Sequence, residues 1–160
     1  LFGDGALGSL VSPNGTKQWR IANGGSGFGE AADTSNDARA THPLILGGAI
    51  AAPIAVLLGP KTASSGEIVA VSFVGRPNTR SFGEPTHGQT TGNSSTELTD
   101  GAVMAVTTSI YADRNGKRYG GKVTPDEPLT PVSGAAKPLQ DDALIEAAIK
   151  WLDDQRACKK

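Results

Sequence analysis

The stretch "LLGPKTASSGEIVAVSFVG", residues 57–75, passes from an apolar run through Thr62-Ala63-Ser64-Ser65-Gly66-Glu67 into a second apolar run. The first run, Pro53-Ile54-Ala55-Val56-Leu57-Leu58, is short, partly β-branched and bounded by Pro53 and Gly59, which predicts a fully buried strand. The second predicts a helix over about 64–74. Ser64 and Glu67 fit the S-x-x-E capping box, in which the serine accepts a first-turn amide and the glutamate reaches back to the cap. Residue chemistry alone leaves open whether Ser64 starts a helix or attacks a substrate, the cap being the plainer reading.

Outward from this unit, Leu7–Val11 and Thr16–Ala22 predict a hairpin about the turn Ser12-Pro13-Asn14-Gly15, its two strands covering an edge. Between Asn23 and Thr41, glycine, serine, alanine and aspartate dominate without periodicity. That composition predicts a long loop, weakly ordered or held by a neighbouring chain. Its Gly24-Gly25-Ser26-Gly27-Phe28-Gly29 does not fit the dinucleotide fingerprint. Downstream, Arg80–Glu84 predicts a short strand, residues 85–95 a loop, and Val103–Tyr111 a long strand closed by the turn Asp113-Arg114-Asn115-Gly116. That turn lacks the remaining ligands of a calcium loop. After a proline-rich link, Asp141 or Asp142 caps a helix carrying Leu144, Ala147, Ala148, Trp151 and Leu152 on one face.

The chain of 160 residues is 38% hydrophobic and 19% charged, which suits one globular domain of α/β class with no internal repeat. Fifteen basic and sixteen acidic residues leave a net charge of −1 without a basic stripe, so nucleic acid is not an expected partner. No run reaches the roughly 20 apolar residues of a membrane span. The lone Cys158 rules out an internal disulfide and a cysteine-based metal site, and no metal or other cofactor is expected. A start on Leu1, directly in the turn-like Phe2-Gly3-Asp4-Gly5, leads us to expect further chain upstream.

Thr62-Ala63-Ser64-Ser65-Gly66-Glu67, Arg80-Ser81-Phe82-Gly83-Glu84-Pro85-Thr86, Tyr111-Ala112-Asp113-Arg114-Asn115-Gly116 and Val123-Thr124-Pro125-Asp126 follow one another in an order that resembles the S41 serine peptidases. These are the tail-specific, C-terminal-processing proteases with their tricorn-like and nisin-resistance-protein-like branch. The resemblance covers nearly the whole chain and identifies residues 1–160 as the C-terminal part of such a catalytic domain. It implies a ClpP/crotonase-like core with an added β-hairpin and a C-terminal helix. It also implies Ser64 as the catalytic nucleophile, the Ser65 backbone amide as an oxyanion-hole donor, and a peptide or unfolded protein as substrate. A periplasmic, cell-envelope or secreted location and self-association are further expectations.

One departure bears on mechanism. Where many of these enzymes carry a lysine base in G-E-P-T-x-G-K, this chain reads Gly83-Glu84-Pro85-Thr86-His87-Gly88-Gln89, and Gln89 cannot take a proton. The base is therefore expected from a missing N-terminal region, as is the N-x-G-G segment that supplies the second oxyanion amide. His87 and Gln89 are candidate substrate-facing residues. His42 reads as structural or exposed, and Glu67 and Glu84 as capping and loop contacts. The rival reading on the same fold is a noncatalytic binder of apolar ligands or peptides.

Overall fold

The computed structural model describes residues 2–22, 25–29, 51–129 and 142–155. His42, Cys158 and all of 23–41 except 25–29 lie outside the described residues. In chain order the elements are β1 (Gly5–Ser12), β2 (Gly15–Ala22), β3 (Gly25–Phe28), β4 (Ile54–Leu58), α1 (Ser65–Phe73), β5 (Thr79–Gly83), β6 (Thr91–Glu97), β7 (Val103–Asp113), β8 (Glu127–Pro128) and α2 (Ala143–Asp153). The result is a mixed, sheet-rich architecture with two helices among the described residues.

Strands β4, β5 and β8 form a small parallel sheet with β5 in the middle. Successive side chains of a strand face opposite ways, and β4 sorts accordingly. Val56 and Leu58 join Ala70 and Val71 of α1, with Tyr119 and Val123, in one cluster. Ala55 lies on the other face with Phe82, Leu129, Leu144, Ala147, Ala148 and Trp151. The predicted amphipathic face of α2 is thus the docked one, with the Trp151 ring 6.0 Å from that of Phe82. Its cap is Asp142, whose Oδ1 accepts the Leu144 amide at 2.9 Å.

A second sheet runs in the order β3-β2-β1-β7-β6, antiparallel throughout. The helix α1 lies against β1 and β7 as well as β4, and so joins the two sheets. Buried Asp113 fixes the turn after β7. Its Oδ1 accepts the amides of Asn115 and Lys117, and its Oδ2 the Tyr119 hydroxyl at 3.0 Å.

Four expectations need correction. Residues 91–95, expected as loop, belong to strand β6: Asn93 to Glu97 pair with Thr107 to Val103, and Ser94 and Thr108 share a hydrogen bond across the ribbon. Gly25–Phe28 is a strand because Trp19 and Phe28 face each other with ring centroids 6.3 Å apart. The first hairpin does not cover an edge, since β1 lies between β2 and β7 and β2 between β1 and β3. Strand β4 is not fully buried. Among the described residues it forms the edge of its sheet, and Leu57 is 46% exposed.

Candidate active site

The chain leaves β4 at Leu58 and reaches the N-cap of α1 through five residues closed by local hydrogen bonds. The Thr62 amide donates to the Gly59 carbonyl at 2.9 Å, and the Gly59 amide to the Thr62 hydroxyl at 3.3 Å. Ser64 follows as the N-cap with φ 50° and ψ −114°. Of the described non-glycine residues only Ser64 and Asn78 have positive φ, and asparagine tolerates that region where serine does not. Such a backbone costs on the order of 1–3 kcal/mol and persists only when its surroundings over-determine it.

The group that over-determines it is Glu67. This side chain is fully buried at the base of α1. Its Oε2 accepts the Ser64 amide at 2.9 Å and the Gln89 amide at 2.7 Å. Its Oε1 accepts the Thr86 hydroxyl at 2.5 Å and the Gly88 amide at 2.7 Å. A carboxylate offers about four acceptor sites, and here four donors fill them. Glu67 is therefore saturated and has no free lone pair for the serine proton. The Glu67 carboxylate on the Ser64 amide is the reaching-back half of the capping box predicted from S-x-x-E, extended here to a second loop, while the Glu67 amide donates to the Ser64 backbone carbonyl at 2.8 Å.

That second loop is held from both sides. Thr86 accepts the Val123 amide on its hydroxyl at 2.8 Å and donates its own amide to the Val123 carbonyl at 3.0 Å. The His87 amide donates to the Thr62 carbonyl at 2.8 Å, and the Glu84 amide to the Leu58 carbonyl at 3.1 Å. Gly83, at φ +119°, lets β5 pass this close, because a Cβ there would run into the Leu58 carbonyl oxygen. The negative charge of Glu67 reaches one residue further: burial first, and that charge second, push the Tyr111 hydroxyl above its ordinary pKa.

Of the residues singled out in sequence, Ser64 and Ser65 sit together, exposed, at the head of α1. The Ser65 amide occupies the first helical position, where a helix supplies no acceptor and its positive end favours an anion. His87 and Gln89 come beside this turn through their backbones, while their side chains are exposed. Among the described residues no hydrogen bond joins the His87 imidazole to Ser64. Sequence reasoning missed Thr86 and the amides of Gly88 and Gln89 as partners of Glu67. Their only sequence signal was the G-E-P-T segment lying downstream of the S-x-x-E. A cavity of about 190 Å³ lies elsewhere, lined in part by Val56, Ala70, Phe73, Lys117, Tyr119 and Asp126, and Ser64 does not line it.

Comparison with known proteins places this geometry among relatives. The profile of Peptidase family S41 matches residues 12–129. The nisin-resistance protein of Lactococcus lactis subsp. lactis is 32% identical over 105 residues, covering 65% of this chain and 29% of that protein. The chloroplastic carboxyl-terminal-processing peptidase 2 of Arabidopsis thaliana is 40% identical over 80 residues, covering 48% of this chain and 15% of that protein. The chain therefore spans less than a third of either curated relative. Among solved structures, a lipoprotein from Streptococcus agalactiae superposes with TM-score 0.65 at 28% identity, covering 95% of this chain and 46% of that one. The photosystem II D1 C-terminal processing protease superposes with TM-score 0.56 at 23% identity, covering 81% of this chain and 28% of the other, a likeness of fold.

Proposed function

This chain belongs to peptidase family S41, and on that premise we propose that it carries the nucleophile of a serine endopeptidase and forms the C-terminal part of its catalytic domain, built on a ClpP/crotonase-like core. The Ser64 Oγ attacks a peptide carbonyl carbon while its proton passes to a general base. The carbonyl π electrons move onto oxygen, and the resulting oxyanion lies at the Ser65 amide. Its collapse breaks the C–N bond, the amine leaves with the proton, and water then hydrolyses the Ser64 ester. The chemistry calls for no cofactor.

The observation that carries this reading is the strained, exposed Ser64 held at the head of α1 by the buried Glu67. A plain helix cap needs no positive φ, whereas a nucleophile presented at a strand-to-helix turn uses it. On this reading the general base comes from a further N-terminal region, as the family resemblance implies. Gln89 cannot accept a proton, Glu67 is saturated, and His87 makes no hydrogen bond with Ser64 among the described residues. The substrate class is an unstructured polypeptide or protein tail, in keeping with the carboxyl-terminal-processing relatives. A location in the cell envelope or outside the cytoplasm accords with a relative that is a lipoprotein.

The apolar-binder reading has less support. Ligand sites usually enclose about 300–1,000 Å³, and among the described residues the cavity near Lys117 and Asp126 is smaller and has partly polar walls. The test compares cleavage of an unstructured peptide by the parent protein and by its Ser64→Ala variant. Loss of turnover with unchanged folding is expected, and retained turnover would remove Ser64 from the mechanism.

A further inference from the structure

The ribbon of β6 and β7 stands apart from the rest of the molecule. Strand β7 meets β1 only at Ile110–Asp113, so from Val103 to Ser109 it has β6 as its strand neighbour among the described residues. Residues 93–108 are exposed on both faces, with Leu98, Val103, Met104 and Val106 at 43%, 69%, 45% and 43%. A two-stranded ribbon is marginal in water by itself. Natural edges are usually shortened, charged or interrupted by proline. Among the described residues β6 and β3 form the two edges of this sheet, and β3 follows that habit with four residues. Strand β6 does not: its seven residues Thr91-Gly92-Asn93-Ser94-Ser95-Thr96-Glu97 contain no lysine, arginine or proline, and its single irregularity lies at Gly92/Asn93, beside the root.

The root of this edge belongs to the candidate active site. Glu67 holds the Gly88 and Gln89 amides, the Thr90 carbonyl accepts the Tyr111 amide at 3.0 Å, and β6 begins at the next residue. We propose that β6 is a strand-addition edge for the polypeptide being cut, so that an extended stretch of substrate reaching Ser64 pairs with the outward amides and carbonyls of residues 94–97. The proposal rests on the reading of Ser64 as a peptidase nucleophile. Main-chain pairing of this kind is indifferent to most side chains and suits an unstructured substrate. The edge also states a charge preference. Within residues 91–109 the charges are Glu97 and Asp100, both at the tip. The tip lies about 20 Å from Thr91 at strand spacing. The fitting substrate is an uncharged, β-prone run with a lysine or arginine about six residues from the position that meets the root.

The test uses the Ser64→Ala variant of the parent protein, so that binding is read without cleavage. Its probe is a fluorescent, unstructured peptide with one lysine placed to meet the tip. Saturating peptide should slow hydrogen exchange at alternate amides of residues 94–97, and replacing the peptide lysine by glutamate should weaken binding. Successive strand amides point to opposite sides, so of Ser94→Pro and Ser95→Pro one removes only an outward donor. That variant should bind about three- to tenfold more weakly with the fold unchanged, the worth of one net hydrogen bond. Three results overturn the proposal: no binding, unchanged β6 exchange under saturating peptide, or protection that is present without peptide and grows with protein concentration, which would make a second copy the occupant. If the Ser64→Ala parent still cleaves peptide, it is the catalytic reading that fails, and the exchange result judges the edge separately.

Discussion

The Glu67 carboxylate accepts the backbone amide of Ser64 at 2.9 Å, so a fully buried acid fixes the backbone of an exposed serine three residues before it. The same carboxylate gathers Thr86, Gly88 and Gln89. One side chain thereby joins the turn after β4 to the loop after β5.

Replacing Glu67 should show how much depends on this junction. Each oxygen takes two donors, so in Glu67→Gln the amide nitrogen faces donors whichever way the side chain flips. We expect Glu67→Gln to lose about 1–3 kcal/mol and Glu67→Ala about 3–5 kcal/mol of unfolding free energy by urea titration. A loss below about 0.5 kcal/mol in both would mean the four bonds are not made in solution.

Thr86 is the second test of the same network. Its hydroxyl donates to Glu67 and accepts the Val123 amide at once. Thr86→Val preserves shape and removes both bonds, so it should cost about 1–3 kcal/mol, while Thr86→Ser should recover most of that. Equal stability of the two variants would contradict the assigned bonds.

Gln89 offers a gain-of-function test. Its side chain is exposed and only its amide serves Glu67, so Gln89→Lys should fold with a change within about 0.5 kcal/mol. A neutral lysine amine reaching Ser64 should raise the rate of acylation by an activated ester by about 10²-fold, with the rate rising toward alkaline pH. An unchanged rate would show that position 89 does not reach the serine.

Much of this was legible in sequence, for physical reasons that differ by element. The unit β4-α1-β5 shows as apolar runs punctuated by Pro53, Gly59 and Gly75, and α2 as a helical stripe from Leu144 to Leu152 that docks by Leu144, Ala147, Ala148 and Trp151. The capping role of Glu67 follows from its spacing to Ser64. Strand β6 was hidden because neither of its faces is buried, so no alternation marks it. The rest of the Glu67 network was hidden because two of its donors are backbone amides 21 and 22 residues away, and every residue type has one. The positive φ of Ser64 had no signal at all, since serine is not the residue that announces it.

Tyr119 should contribute to the alkaline limit, as should Tyr111. Burial first, then the hydrogen bond and charge of Asp113, push the Tyr119 hydroxyl well above the ordinary tyrosine value. The folded state thus holds this proton more tightly than the unfolded chain does. Its stabilising contribution is complete below about pH 10 and declines as pH rises beyond that. Urea titrations between about pH 8 and 11 should show that decline. Tyr119→Phe should make it shallower, while costing about 1–3 kcal/mol at neutral pH because buried Asp113 loses a donor. An identical slope in the variant would place the alkaline transition elsewhere.

The most direct test of the account is covalent labelling of the parent protein with a fluorophosphonate probe, located by peptide mass spectrometry. The account predicts a single adduct on Ser64, absent in Ser64→Ala. In the isolated 160-residue chain the same adduct should form about 10²–10⁴-fold more slowly, for want of a base. An adduct on another serine of the parent, or none where the parent cleaves peptide, would contradict the assignment of Ser64 as the nucleophile.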